Sequence, residues 1–223
     1  MTYFHRFISC IVILLIILGI IHYSNLDLKF QSLFFDFETK SWLVSRGNLV
    51  LKFIFYKFPK YMIAIYGVSL IFWAIKLRLC KENIELQKKL LFLIIILILT
   101  PVTVAFFKHY SPIYCPNFVQ EFYGDKLYIS PFDMFNEGIF FNNTGKCFPA
   151  GHASGGFALI SLYFVMPTKE LKIRSLIFSL SLGFIMGLYQ IAKGTHFLSD
   201  TLVTLGIAYI LCISLQQILL KEK

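Results

Sequence analysis

Long apolar runs constrain this chain more than any motif does. The stretch from about Phe7 to Tyr23, FISCIVILLIILGIIHY, contains no Asp, Glu, Lys or Arg. A hydrocarbon layer of ~30 Å asks for about 20 such residues in a helix. Five further runs of the same character follow, at about 61–75, 90–107, 152–166, 175–192 and 197–220. Composition agrees: 57% of the 223 residues are hydrophobic, 25 are Phe and only 15% are charged, with mean hydropathy +0.72. A soluble domain is roughly half apolar and a quarter charged, so an integral membrane protein is expected. The fold class follows as an all-α, polytopic helix bundle of about six spans, with residues 1–223 as a single domain.

The connections refine this picture. No small-residue cleavage site follows the first run in HYSNLDLKF, which reads as an uncleaved anchor. Residues 24–60, rich in Phe, Trp and Lys and including KFIFYKFPK, suit an amphipathic stretch lying at the interface. The net charge of +9 comes from Lys and Arg flanking the apolar runs, which argues for membrane flanks rather than a nucleic-acid partner. No obligate protein partner is indicated. Lys and Arg are dense in the short connectors KLRLCKENIELQKK and TKELKIR and in the KEK tail, whereas most acids fall in the two long connections. Both termini are therefore expected in the cytoplasm.

That topology gathers ionisable residues. Lys108 ends the third span, His152 opens the fourth, and Lys193, His196 and Asp200 join the fifth to the sixth, all on the outer side. Alone, Lys108 is explained as a snorkelling lysine and His196 as a capping histidine. Together at membrane depth they point to function. In GTHFLSD, His196 and Asp200 are four apart, so in a helix they would share a face and the carboxylate would orient the imidazole. KCFPAGHASGG supplies the complement: Pro149 and Gly151 at a helix start would leave amides free for an oxyanion, with His152 placed to donate a proton.

These residues resemble the PAP2, or type 2 phosphatidic acid phosphatase, superfamily. Its three motifs read K-x6-R-P, P-S-G-H and S-R-x5-H-x3-D. Lys108 and Pro116 match the ends of the first, Pro149, Gly151 and His152 the second, and His196 and Asp200 the third. Four positions depart from the family: Cys115 and Gln190 stand where arginines are expected, Tyr189 where the third motif has serine, and Ala150 replaces the serine of the second. Neither Cys nor Gln reproduces the bidentate fork of arginine.

The resemblance implies a membrane lipid phosphatase. His196, held by Asp200, would attack phosphorus and form a phosphohistidine while His152 protonates the leaving group. The phosphate would lodge among Lys108, Lys193 and the amides near Ala150 and Gly151, with Gln190 at a family phosphate position and Lys146 or Lys126 as further cations. No metal or other cofactor is required. A lipid phosphate at the periplasmic face of a bacterial inner membrane is the expected substrate. Lipid A comes first, on the similarity of QEFYGDKLYISPFDMF to lipid A phosphatases; undecaprenyl pyrophosphate and phosphatidylglycerol phosphate follow. A lipid phosphotransferase and a non-catalytic relative are the alternatives. Cys115 and Cys147 share the outer loop, where an oxidising periplasm allows a disulfide; two reduced thiols are the other reading.

Overall fold

The computed structural model describes residues 3–81, 83–136 and 145–220. Helix α1 (Tyr3–Ser24) leads into the short α2 (Leu26–Ser32), a two-stranded hairpin of β1 (Phe35–Asp36) and β2 (Ser41–Trp42), and α3 (Leu49–Lys52). A π-helical turn, Phe53–Lys57, joins α3 to α4 (Phe58–Leu79), and α5 (Ile84–Tyr110) returns beside it. Two 3₁₀ turns and α6 (Asp133–Asn136) lie in the following connection. Helices α7 (Ser154–Ala158), α8 (Ser161–Val165), α9 (Lys169–Ala192) and α10 (Leu198–Leu219) complete the chain. The protein is an all-α, multi-pass membrane bundle: five helices among the described residues are long and apolar enough to cross a bilayer.

Local chemistry explains the boundaries. Asn83 and Thr168 cap α5 and α9 by accepting the amides of Leu86 and Leu171, and Pro167 stops α8 before α9 begins. Residues 49–60, expected at the interface, instead start a continuous 31-residue helix running to Leu79. Pro59 has no N–H to give the preceding turn, and the π turn just before it absorbs the mismatch.

The fourth expected span also differs. Ser154–Val165 covers about 18 Å at about 1.5 Å per residue, short of the ~30 Å hydrocarbon thickness. It is broken at Leu159–Ile160. Irregular backbone at membrane depth is tolerated where protein surrounds it, and here α5, α9 and α10 do so: Phe157, Ala158 and Ile160 are buried against Phe92, Ile96, Ala208 and Cys212. By contrast, only Leu18 and Ile21 of α1, and only Pro59 and Leu70 of α4, are buried. Their exposed Ile, Leu and Phe side chains form an apolar outer surface.

The broken element reaches the core because two glycines let backbones meet. A Cβ at Gly156 would lie 2.7 Å from the Gly183 Cα, and one at Gly183 would strike the Phe157 ring. Small residues serve this purpose at membrane helix contacts. Gly183→Val should therefore cost about 2 kcal/mol through overpacking, read as a lowered thermal unfolding midpoint in detergent. The half-buried Gly67, with nothing near its Cβ, should accept Ala with little change.

Candidate functional site

The turn between α9 and α10 sets the geometry. Helix α9 ends at Ala192, and Gly194 reverses the chain at φ +69°, a conformation that suits glycine. Thr195 locks the turn: its amide and hydroxyl both bind the Gln190 carbonyl, and the hydroxyl also reaches Gln190 Oε1 at 2.8 Å. His196 and Phe197 are extended, and α10 starts at Leu198. Asp200, in the first turn of α10, accepts the Phe197 amide and His196 Nδ1 on the same oxygen, Oδ2, both at 3.0 Å. The pair thus meets through a helix cap, not along one helical face, because His196 precedes the helix.

His152 completes a relay. Its Nδ1 lies 3.3 Å from His196 Nε2. With Asp200 as carboxylate, His196 donates from Nδ1, which leaves Nε2 as acceptor of a proton held on His152 Nδ1. His152 Nε2 is then the unprotonated nitrogen. His196 and Asp200 are buried and His152 is half-buried. Burial, followed by Lys108 and Lys193, holds His196 below the usual imidazole range. Burial, then His196, Lys108, Lys193 and Lys60, push His152 down to about 3. Both rings are therefore neutral near pH 7, as an attacking imidazole must be.

A cavity of about 420 Å³ opens at His152. Lys60, Lys108, Gly151 and His152 line its outer end, and Ile63, Ala64, Leu97 and Pro101 line its depth between α4 and α5. Lys193 stands apart from this lining, its ammonium 5.0 Å from the Tyr189 ring. Burial, then Arg46 and Lys52, lower its pKa.

The remaining expected residues have structural partners. The Ala150 amide donates to the Asp200 carbonyl, and Thr204 Oγ1 reaches both carbonyls, so the Ala150 backbone is tied to α10. Gln190 is buried and braces the Thr195 turn instead of lining the cavity. Lys126 pairs with Asp125 at 2.8 Å, and neither it nor Lys146 lines the cavity. Helix α7, at five residues, is too short to present the helix-end anion site expected from PAGHASGG.

Cys115 and Cys147 are joined by a disulfide across 32 residues, with Cα atoms 5.2 Å apart. Backbone bonds Cys147 N–H to Ile113 and Asn117 N–H to Gly194 fasten the same loops. Cys147, His196 and Asp200 offer ligand atoms within 4.8 Å of one another. They do not fit a metal ion well: the Cys147 sulfur is in the disulfide, and His196 and Asp200 are bonded to each other.

The sequence pattern does not single out Tyr56 and Lys60, whose segment suits the interface, or Asp27 as site residues. The buried Asp27 accepts the Ser199 amide at 2.9 Å and the Tyr128 hydroxyl at 3.3 Å. Burial raises its pKa to about 6 despite these bonds, with Asp200 adding to the rise. The spacing 56, 60, 63, 64 is a helical face and was the available signal for the first two.

A family model described as the PAP2 superfamily matches residues 89–222. No curated protein and no solved structure matches the chain.

The cysteines offer a direct check of the loop geometry. Alkylation of the denatured, unreduced protein should modify three cysteines, Cys10, Cys80 and Cys212, and reduction first should expose all five. Intact-mass spectrometry reads the difference.

Proposed function

Because the chain belongs to the PAP2 superfamily, whose members are generally phosphatases, we propose that it hydrolyses a lipid phosphate monoester through a phosphohistidine at His196. The observation that carries this reading is the continuity between the Asp200–His196–His152 relay and a cavity with cations at one end and an apolar depth. A lipid phosphate has that same division. Its phosphate would meet Lys108 near the histidines, with Lys193 adding field from the side, and its chain would lie along Ile63, Ala64, Leu97 and Pro101 between α4 and α5.

The chemistry follows from the proton inventory. The phosphate monoanion passes its proton to His152 Nε2 and displaces that ring from His196 Nε2, whose lone pair then attacks phosphorus as Asp200 holds the Nδ1 proton. The P–O bond to the lipid breaks, and His152 protonates the departing oxygen. His152 next takes a proton from water, the resulting hydroxide attacks phosphorus and breaks its bond to His196 Nε2, and phosphate leaves carrying the proton back from His152, so both rings are restored. Lys108 and Lys193 stabilise the charge on the phosphoryl oxygens.

Lipid A is the first substrate to test, supported by the segment from Gln120 to Phe135, within which Tyr128 packs its ring 5.1 Å from that of Phe197, beside His196. Undecaprenyl pyrophosphate and phosphatidylglycerol phosphate come next. The proposed site is the periplasmic face of a bacterial inner membrane, consistent with the Lys- and Arg-rich short connectors lying at the opposite end of the bundle.

Two experiments test the reading on purified protein in lipid vesicles. His196→Ala and His152→Ala should each lower phosphate release by a factor of about 10³ or more, and Asp200→Asn should lower kcat with a smaller change in KM. Wild-type rates in either histidine variant would refute it. The second is a pH profile. His152 in the empty site is neutral above about pH 3, so its proton must arrive with a monoanionic phosphate. Since kcat/KM then follows the monoanion, it should fall as pH rises through the substrate's second phosphate pKa, about 6. A substrate with a lower second pKa should shift the midpoint down by the same amount; a fixed midpoint would assign the proton to the enzyme instead.

A further inference from the structure

Cys115 and Gln190 leave the site without two arginines that the family's motifs place around phosphate, and Gln190 and Ala150 are engaged elsewhere. A cation is supplied from outside the matched region. Helix α4 lies wholly before residue 89, where the family match begins. Lys60, Ile63 and Ala64 on α4, with Tyr56 in the π turn before it, line the cavity together with Lys108 on α5. The Tyr56 ring stands edge-on to His152 with centroids 4.8 Å apart, and the Lys60 ammonium is 5.9 Å from the centroid of the same Tyr56 ring. Among the described residues no carboxylate pairs with Lys60. Two lysines that form no ion pair with a carboxylate among the described residues and face one cavity beside a neutral histidine repel each other, a repulsion that an entering anion relieves. The π turn at Phe53–Lys57 sets the rotation of this lining: it shifts the helical register just before Lys60, a use to which such turns are put at working sites.

We infer that Lys60 is a phosphate-binding residue of this site, closing on the bound anion from α4 together with Lys108 and taking over the work of a missing arginine. The inference rests on the phosphatase reading for its substrate, but not for its test. Inorganic phosphate is the probe, titrated calorimetrically into the purified full-length protein, with turnover of a lipid phosphate measured in parallel. Lys60→Met should weaken phosphate binding about tenfold, equivalent to about 1.4 kcal/mol, and raise KM more than it lowers kcat. Lys60→Arg should bind phosphate as the wild type does or better. Lys57→Met, at an exposed lysine outside the cavity lining, should change neither, and circular dichroism of each variant checks the helix content. Wild-type phosphate affinity in Lys60→Met, or equal losses at Lys57 and Lys60, would overturn the assignment and leave Lys60 as a lysine that merely reaches the interface. Lys60-dependent phosphate binding without turnover would keep the assignment and reject the phosphatase reading. Turnover by a wild type whose phosphate affinity ignores Lys60 would do the reverse. No phosphate binding by the wild type would overturn both.

Discussion

A single carboxylate oxygen, Asp200 Oδ2, receives two donors that belong to different levels of the structure: the amide of Phe197, which opens α10, and the ring of His196. The first bond stabilises a helix start and the second orients an imidazole, so whatever fixes the beginning of α10 also fixes the direction of His196 Nε2. Much of the surrounding structure converges on this point. The Asp200 carbonyl holds Ala150, which precedes His152 by two residues, and Thr204 grips both carbonyls from the next turn. Chain segments far apart in sequence are brought to one cap, and the distance between the two histidines follows.

Support also comes from the chain before residue 89. Asp27 accepts the Ser199 amide, so the start of α10 is held by two buried carboxylates, Asp200 from its own first turn and Asp27 from α2. Gln31 donates to the Ile191 carbonyl at 2.8 Å, and Val44 N–H to that of Ala192. The Trp42 indole covers Gly194 so closely that no Cβ would fit. These contacts clamp the α9–α10 turn from its outer side, which accounts for a buried aspartate and glutamine in an otherwise apolar α2 neighbourhood.

How much of this was legible in the sequence depended on the range of the interaction. Span length and the sidedness of Lys108, His152, His196 and Asp200 follow from helix rise and bilayer thickness, which are local and additive. The His196–Asp200 spacing pointed to the right partners for a different geometric reason, since an N-cap and a helical face both bring residues four apart together. What could not be read were long-range commitments. Nothing in Gln190 announces that Thr195 will claim its carbonyl oxygen, and nothing in Ala150 that its amide will go to α10. The α7–α8 break was likewise hidden, because a short apolar helix enclosed by protein has the same composition as one enclosed by lipid. Lys60 was obscured by its surroundings: Phe and Lys mixed at a membrane surface look alike whether they face lipid or a cavity.

The cavity has two walls of unequal firmness. His152 and His196 sit on the well-buried side formed by α7, α9 and α10, whereas α4, with only Pro59 and Leu70 buried, forms the opposite side. Helix α4 packs along α5 and reaches the core through Leu70, whereas the bonds of the Asp200 cap come from α2, α10 and the segments around Ala150 and His196. In the proposed reaction, accommodation of a lipid chain and alignment of the reacting nitrogen would then fall to separate parts of the molecule. Under that reading, tolerance toward the size of the tail would not have to be traded against precision at phosphorus.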